Sequence, residues 1–290
     1  MFRNAIIHLD GDVQTQDYFM ASAGCGPKDR PISNFHAPNF DIVVSIAQFW
    51  GFGYYHFVHE NLVRLPLLLD VTAKFKQAMV QVHKRNKYTL EMIESFGVPR
   101  NRIFSGRATA RILLVPQPVS CGHPSAMLLR ILRQTALRTT LKHLVSKNEE
   151  VHPSCRMLVV DRGKKARSVR NHDAMMTAIQ DAHPECHLAA HTGKEPLKNQ
   201  LEMFRGSTAI IGPHGAGLAS MYISRPGTDL LEFLTAKNVN LCNMMAAANL
   251  GLRYWALSFP GSMHGSPMTA DIREVLATVK AMVETHGTKA

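Results

Sequence analysis

Residues 210–220, with the sequence IIGPHGAGLAS, place three glycines, a proline and a histidine directly after an apolar run. The run 208–211 is short and rich in β-branched residues, which predicts a buried strand. Residues 212–215 are typical of a turn, and 216–223 predict a short helix. A strand, a glycine turn and the start of a helix leave backbone N–H groups that can bind an anion, above all a phosphate.

The glycines also fit a purely structural role, in which they let the turn pack tightly against its neighbours. Their spacing is Gly-x-x-Gly-x-Gly, whereas the dinucleotide-binding fingerprint is Gly-x-Gly-x-x-Gly. The motif alone therefore does not predict an NAD site. Other residues must decide between a structural turn and an anion site.

Charged residues elsewhere in the second half fit a nucleotide. The segment 159–171, VVDRGKKARSVRN, follows a predicted strand and places Arg162, Arg167 and Arg170 near the end of that strand. Glu232 ends an apolar strand about twenty residues after Gly212, which is similar to the spacing of a ribose-binding acid in nucleotide folds. Arginines are also common on solvated loops, so they indicate a nucleotide site only together with the glycine turn.

In the first half, residues 51–65, GFGYYHFVHENLVRL, are the densest polar and aromatic segment. If the segment is helical, His56 and Glu60 share one face at i,i+4, with His59 beside them. The order His-x-x-His-Glu differs from the His-Glu-x-x-His of zinc proteases and from the inverse motif, so we do not expect zinc. A partly buried helix with a hydrogen-bonded histidine explains the pair equally well.

The composition narrows the class of protein. The chain has 290 residues, of which 46% are hydrophobic and 19% charged, as in an ordinary globular protein. No apolar stretch approaches the roughly 18 residues of a membrane span, and the N-terminus lacks the apolar core of a signal peptide. A fragment that has lost its leader fits the same observation.

The five cysteines are odd in number and widely spaced, which favours buried free thiols over a disulfide framework or a zinc site.

The net charge of +11 is concentrated between Arg130 and Arg170. A basic patch can bind nucleic acid, a phosphorylated small molecule or an anionic surface. The sequence has no recognition-helix signature, RNP motif or interleaved aromatic residues. A nucleic-acid-binding protein is therefore the least favoured of these alternatives.

Strands and helices alternate along the chain. Strands are predicted at 41–47, 78–83, 102–104, 110–115, 157–160, near 188, 208–211 and 229–233, and helices at 55–70, 88–96, 125–145, 172–182, 198–204 and 270–284. This α/β order predicts a largely parallel sheet in each half. The polar segment 146–154 predicts a hinge, which divides the chain into domains 1–145 and 146–290.

These motifs, in this order, resemble glycosyltransferase family 61. The tyrosine-tyrosine-histidine-tryptophan helix of that family corresponds to YYHFVHENLVRL, and its arginine-containing strand and loop correspond to DRGKKARSVRN. Its later motifs correspond to NQLEMF, GPHGAGL and LLEF, and the resemblance covers roughly residues 40–260. Phe57 stands where the family has tryptophan and Val63 where it has proline, and both differences could reshape the acceptor cleft.

The resemblance implies an α/β protein of the GT-B type, with two Rossmann-like domains that face each other across a cleft. It implies inverting transfer of a sugar from a nucleotide donor, usually UDP-linked, without an essential metal. Domain 1–145 would take a glycan or glycoprotein acceptor, and domain 146–290 would bind the donor. Family members act in the lumen of the ER and Golgi, but this sequence shows no signal or anchor, so the compartment is not predicted.

The resemblance and the spacing together give the candidate residues. The donor diphosphate would be bound by the arginines and by the glycine turn, and the ribose or a nearby donor hydroxyl by an acid: Arg162, Arg167, His214, Gly215, Ala216, Gly217, Leu218 and Glu232. His56 is the expected general base or acceptor anchor, with Glu60 as its partner. No metal ligand is expected.

One motif and two alternative functions remain to be weighed, and a catalytically silent relative ranks ahead of a basic nucleic-acid-binding protein. Asp10-Gly11-Asp12 is formally a metal-binding Asp-x-Asp motif, but it follows a short apolar run at the N-terminus, where a hairpin turn is the better interpretation. A catalytically silent relative could keep the fold as a nucleotide- or glycan-binding module. The presence of both His56 and Glu60 argues against that silent relative.

Overall fold

The computed structural model describes residues 1–22, 36–145, 155–163, 166–235, 239–260 and 265–287. The chain divides into two compact units, Met1–Lys142 and His143–Ala290. Each unit contains helices and parallel strands, as the α/β order predicts. The predicted hinge 146–154 lies outside the described residues, and the roles assigned to domains 1–145 and 146–290 stay predictions. Within the described part, no helix is long and apolar enough to cross a membrane.

The first unit is built on a seven-stranded sheet with the order β3-β2-β1-β7-β4-β5-β6. Its strands are β1 (Phe2–Ile7), β2 (Val13–Gln14), β3 (Phe19–Met20), β4 (Asn39–Ser45), β5 (Met79–Val82), β6 (Ile103–Ser105) and β7 (Ala108–Leu114). Strands β7, β4, β5 and β6 are parallel, and β1 to β3 form an antiparallel edge. The last four residues of β4 are buried, as expected for a parallel strand inside a sheet.

Asp10-Gly11-Asp12 lies in the turn between β1 and β2, which confirms the predicted hairpin. The backbone N–H of His8 donates to the carbonyl of Asp12 over 2.8 Å. Both carboxylates have partners within the unit. Asp10 pairs with His83 at 2.9 Å, and Asp12 accepts a hydrogen bond from the Ser22 N–H. This environment gives the two aspartates structural roles.

The helices of the first unit are α1 (Tyr54–His56), α2 (Leu69–Lys74), α3 (Lys87–Ser95) and α4 (Ala126–Arg138), and α5 (Lys142–Val145) contains the division between the units. Asn86 and Ser125 cap α3 and α4 with their side chains.

The single helices predicted at 55–70 and 125–145 are wrong. Between α1 and α2 the chain forms a π-helical turn, Phe57–Asn61, and a 3-10 segment, Leu62–Leu68, which contains Pro66. A proline lacks the N–H that an α-helix needs, so the α-helical pattern cannot continue through it.

The second unit contains a parallel five-stranded sheet with the order β12-β11-β10-β8-β9. Its strands are β8 (Arg156–Val160), β9 (His187–His191), β10 (Ala209–Pro213), β11 (Asp229–Thr235) and β12 (Arg253–Phe259), and its helices are α6 (His172–Ala182), α7 (Leu197–Gly206), α8 (Cys242–Leu250) and α9 (Ile272–Gly287). The glycine turn leads into a 3-10 helix, Ala216–Ile223. Apolar residues of the strands, α6 and α9 form one buried core. The sequence patterns did not predict α8 or β12.

Among the cysteines that the structure describes, the prediction of free thiols is wrong for Cys121, Cys155 and Cys186, which are disulfide-bonded. Cys155 and Cys186 bond each other, and their Cα atoms lie 4.6 Å apart. They directly precede β8 and β9, whose register pairs Arg156 with His187. Neighbouring parallel strands thus bring together two cysteines that are 31 residues apart, which spacing along the chain cannot reveal. Cys242 is a buried thiol outside any disulfide, as predicted.

Candidate functional site

Except for Glu232, which lies inside β11, the predicted donor residues follow two adjacent strands of the second sheet, β8 and β10. From β8 the chain crosses to β9 on one side, whereas β10 lies on the other side of β8, so the strand order reverses between β8 and β10. In open α/β sheets, such a reversal separates the loops at the carboxyl ends of the strands and creates a crevice that binds ligands. Arg162 follows β8, and the glycine turn follows β10.

The two arginines converge on Gly215. A Cβ atom added at Gly215 would lie 2.6 Å from Nη1 of Arg162 and 3.1 Å from Cζ of Arg167. Gly215 also has a φ of +132°, which side chains rarely adopt. The absence of a side chain at this position therefore lets both guanidinium groups approach the backbone of the turn.

The other two glycines of the turn serve packing. A Cβ atom at Gly212 or at Gly217 would lie 2.7 Å from a side-chain atom of Val160, at the end of β8. The structural role considered from the sequence thus applies to Gly212 and Gly217, while the approach of the cations requires Gly215.

Burial lowers the pKa of both arginines, and the charge of Arg167 lowers the pKa of Arg162 further. Cys242 and Glu232 partly offset the effect of burial on Arg167. Arg162 is held by a 2.8 Å hydrogen bond from its Nε to the carbonyl of Ala166. Two partly desolvated cations held side by side repel each other, and a bound anion would relieve that repulsion.

The backbone N–H groups of the turn divide into two sets. The N–H of His214 donates to the carbonyl of Phe233, and that of Leu218 donates to the carbonyl of Gly215. The 3-10 turn uses the Leu218 N–H, which argues against the predicted contact of that N–H group with a ligand. The N–H groups of Gly215, Ala216 and Gly217 remain the candidates for an anion in the described part of the turn.

Glu232 lies in the interior of the unit, with no solvent exposure. Its Oε1 accepts from Nδ1 of His214 and from the amide of Asn243, and its Oε2 accepts from the hydroxyl of Tyr254, each over 2.6 Å. Burial, together with the Glu232 carboxylate, raises the pKa of Tyr254 well above its usual value, so the phenol stays a donor. This environment argues against the predicted contact of Glu232 with a ribose and favours a role in fixing the His214 ring.

Sequence patterns did not identify Asn243 or Tyr254. Asn243 belongs to α8 and Tyr254 to β12, two elements of the second unit that were not predicted. The segment RYWALSF, residues 253–259, is a usable signal, because aromatic rings with polar tips in an apolar run are typical of strands beside polar sites.

The first sheet also has a point where the strand order reverses. β4 leads to β5 and β6 on one side, whereas β7 lies on the other side of β4. The segments after β4 and β7 therefore flank a second crevice position, by the same rule. The segment after β4 contains an aromatic loop and then His56, and the segment after β7 contains Gly122.

His56 and Glu60 are in contact, as the i,i+4 spacing predicts. Nδ1 of His56 and Oε1 of Glu60 are 2.9 Å apart, and the N–H of Gly122 donates to the same oxygen over 2.9 Å. The Glu60 side chain is 1% exposed and that of His56 is 31% exposed. The buried carboxylate thus binds Nδ1 of His56, and Nε2 is the ring nitrogen that can contact a ligand. His59 does not join them, because it is fully buried against the Tyr55 ring.

Arg64 fixes the backbone around this pair. It is completely buried and donates to the carbonyls of Ile46, Ala47, Glu60 and Pro116. These carbonyls belong to the segments that follow β4 and β7 and to the π-helical turn. Burial lowers the pKa of Arg64 to about 9, which leaves it a cation at neutral pH.

Phe57 and Val63, the two departures from the family pattern, are buried in the core of the first unit. The predicted effect on the acceptor cleft is therefore not a direct contact with an acceptor.

Two groups of side chains in the described residues are close enough to share a metal ion: His56, Glu60 and Cys121, and His183, Glu185 and Cys186. Cys121 and Cys186 are disulfide-bonded, so neither sulfur is the thiolate that a metal would bind. Each group therefore offers two ligands, one fewer than the three protein ligands usual for a zinc site.

The family model described as glycosyltransferase 61 matches residues 54–231 of this chain. The match begins at α1 and ends inside β11, one residue before Glu232, and it includes the other candidate residues. A search of curated proteins finds no match.

Proposed function

The chain belongs to glycosyltransferase family 61 and is a glycosyltransferase, and from this premise we propose that it moves a hexose or pentose from a UDP-linked donor to a hydroxyl of a glycan or protein. We assign the donor to the second unit and the acceptor to the first, in a GT-B arrangement. The transfer inverts the anomeric centre and needs no metal.

The observation that carries the donor assignment is the convergence of Arg162 and Arg167 on Gly215, at the reversal of strand order in the second sheet. When the sugar leaves, negative charge grows on the diphosphate. Two guanidinium groups and the N–H groups of the turn supply fixed positive charge and donors for that anion. These groups would neutralise the leaving diphosphate, as a divalent cation does in other enzymes.

His214 completes this site as the residue that Glu232 positions. Because Glu232 accepts a hydrogen bond from Nδ1, the proton of a neutral His214 ring resides on Nδ1. The ring orientation is then fixed for contact with the donor. Glu232 acts through His214 in this proposal and does not touch the nucleotide.

His56 is the proposed general base. The acceptor oxygen forms a bond to the anomeric carbon as the bond from that carbon to the diphosphate oxygen breaks. The acceptor proton passes to Nε2 of His56, and the electron pair of the broken bond stays on the diphosphate. Glu60 holds Nδ1 and stabilises the imidazolium that forms.

Calorimetric titration with UDP tests the donor site. We expect Arg162→Ala and Arg167→Ala each to weaken UDP binding by about 1.5–3 kcal/mol, roughly tenfold to 150-fold, the scale of a hydrogen bond to a charged group. Arg170→Ala is the matched control, because Arg170 is an exposed arginine a few residues further along the same segment.

Unchanged UDP affinity in both arginine variants would show that the donor site is wrongly placed. UDP binding by the wild-type chain without transfer from any UDP-sugar would support the catalytically silent relative instead.

A further inference from the structure

Two large aromatic side chains of the first unit are exposed next to His56. Trp50 is 37% exposed and Phe52 is 44% exposed, and their ring centroids are 5.5 Å apart. The Trp50 ring lies 6.0 Å from the His56 ring, at an interplanar angle of 31°. Exposed aromatic rings that adjoin one another are typical of binding surfaces, because leaving them in water has a free-energy cost.

The loop that presents these rings is held by hydrogen bonds. The N–H of Gly51 donates to the carbonyl of Gln48, and the hydroxyl of Tyr88 donates to the carbonyl of Phe52 over 2.6 Å. A Cβ atom at Gly51 would lie 2.6 Å from the side-chain oxygen of Asn61. Buried neighbours thus define the path of the loop at the base of the two rings.

Gln48 ties this loop to the segment after β7. Its side chain donates to the carbonyl of Val119 and accepts from the N–H of Val119, and its own N–H donates to Asn61. The same segment donates the N–H of Gly122 to Glu60. The aromatic rings and the His56–Glu60 pair are therefore fixed to one framework at the reversal of strand order in the first sheet.

We propose that Trp50 and Phe52 form an aromatic platform that binds a sugar ring of the acceptor. This inference rests on the proposed function, which gives His56 the acceptor hydroxyl, and it narrows the acceptor to a carbohydrate. A pyranose or furanose ring has a face of C–H groups and a rim of hydroxyls. The C–H face stacks on the Trp50 ring, the Phe52 ring borders the same sugar at an angle of 53° to Trp50, and a hydroxyl at the rim reaches Nε2 of His56.

A bare serine or threonine side chain does not fit this surface as well. It offers one hydroxyl and at most one methyl group, which leaves most of the two rings in water. The platform thus selects acceptors that already carry a sugar.

Tryptophan fluorescence and calorimetry test the platform on the full chain. The probes are di- to tetrasaccharides of β-linked glucose, xylose, mannose and N-acetylglucosamine, and a sugar-free Ser/Thr peptide, each titrated with and without UDP. We expect at least one saccharide series to bind and quench the fluorescence. Trp50→Ala should weaken its binding by roughly tenfold or more, Phe52→Ala should weaken it less, and Trp50→Phe should restore most of it.

Phe75→Ala is the matched control, because Phe75 is a 37% exposed aromatic residue of the same unit, after α2. UDP affinity should be unchanged in Trp50→Ala. Failure of every saccharide to bind, or full saccharide binding by Trp50→Ala, would overturn the platform. Failure of the wild-type chain to bind UDP would overturn the proposed function, while the titrations without UDP would still decide whether the platform binds sugar.

Discussion

Glu60 and Glu232 are both buried carboxylates that accept a hydrogen bond from Nδ1 of a histidine, His56 and His214 respectively. Each carboxylate also accepts from a group outside the pair: Gly122 in the first unit, and Asn243 and Tyr254 in the second. The two histidines differ in exposure, since His56 is partly exposed and His214 is buried. The more open ring is the better placed to accept a proton from a substrate.

We expect His56→Ala to bind UDP normally and to lose turnover by about a hundredfold or more, the scale of general-base catalysis. The loss should appear in kcat, because the variant removes proton transfer and leaves the donor site intact. His187→Ala is the control, since His187 is an exposed histidine at the amino end of β9, away from the candidate residues of the second unit. Near-normal turnover in a folded His56→Ala enzyme would remove His56 from the mechanism.

At this scale the sequence shows which residues can do chemistry but not which of them a ligand can reach. The spacing of His56 and Glu60 predicts their contact, because residues at i and i+4 are neighbours on a helix. Glu232 is different. Its separation from the glycine turn along the chain suggests a ribose contact, whereas in the structure its carboxylate is bound by side chains of α8 and β12. The spacing of residues along the chain does not show which side chains are buried by segments distant in sequence.

Among the elements, the segment from α1 to α2 departs most from its prediction. Its apolar stripe predicts one regular helix, but the chain passes through a π-helical turn and a 3-10 segment. Such turns often occur at functional sites. Here the irregular segment contains Glu60, whose carbonyl accepts from the buried Arg64. Pro66 interrupts the regular helix, and Arg64 ties the irregular segment to carbonyls of the segments after β4 and β7.

We expect Arg64→Ala to lower the free energy of unfolding by about 3–5 kcal/mol, because four carbonyls lose a buried charged donor. Arg64→Lys should recover only part of this loss, since an ammonium group cannot span carbonyls on three segments. Urea unfolding measures both variants.

Arg111→Ala is the control for this prediction, because Arg111 is an exposed arginine paired with Asp41. Water screens the charges of an exposed pair, so this variant should unfold close to the wild type. An equally small effect of Arg64→Ala would contradict the structural role of Arg64.

At the scale of the whole molecule, the alternation of strands and helices was enough to predict two α/β halves. Apolar runs such as those of β4 and β10 are visible in the sequence because parallel strands are buried on both faces. The order of strands within each sheet was not predicted, because periodicity carries no information on which strands pair. That order is what places the candidate residues at the two reversals.

We expect transfer to continue in excess EDTA. The expectation comes from the cationic site of the second unit and from the hairpin location of Asp10-Gly11-Asp12, whose carboxylates bind His83 and Ser22. Initial rates measured with EDTA, and again after adding manganese, check it. Activity that disappears with the chelator and returns with manganese would mean that a cation neutralises the leaving diphosphate.

The disulfide between Cys155 and Cys186 has a practical consequence for anyone who makes this protein. Disulfides form and persist in oxidising surroundings, and thiol reductants are routine in purification buffers. A preparation expressed in a reducing cytosol, or kept in such a buffer, would lack the bond that joins the starts of β8 and β9. Because β8 leads directly to Arg162, binding and transfer assays belong on oxidised material whose thiol content has been counted.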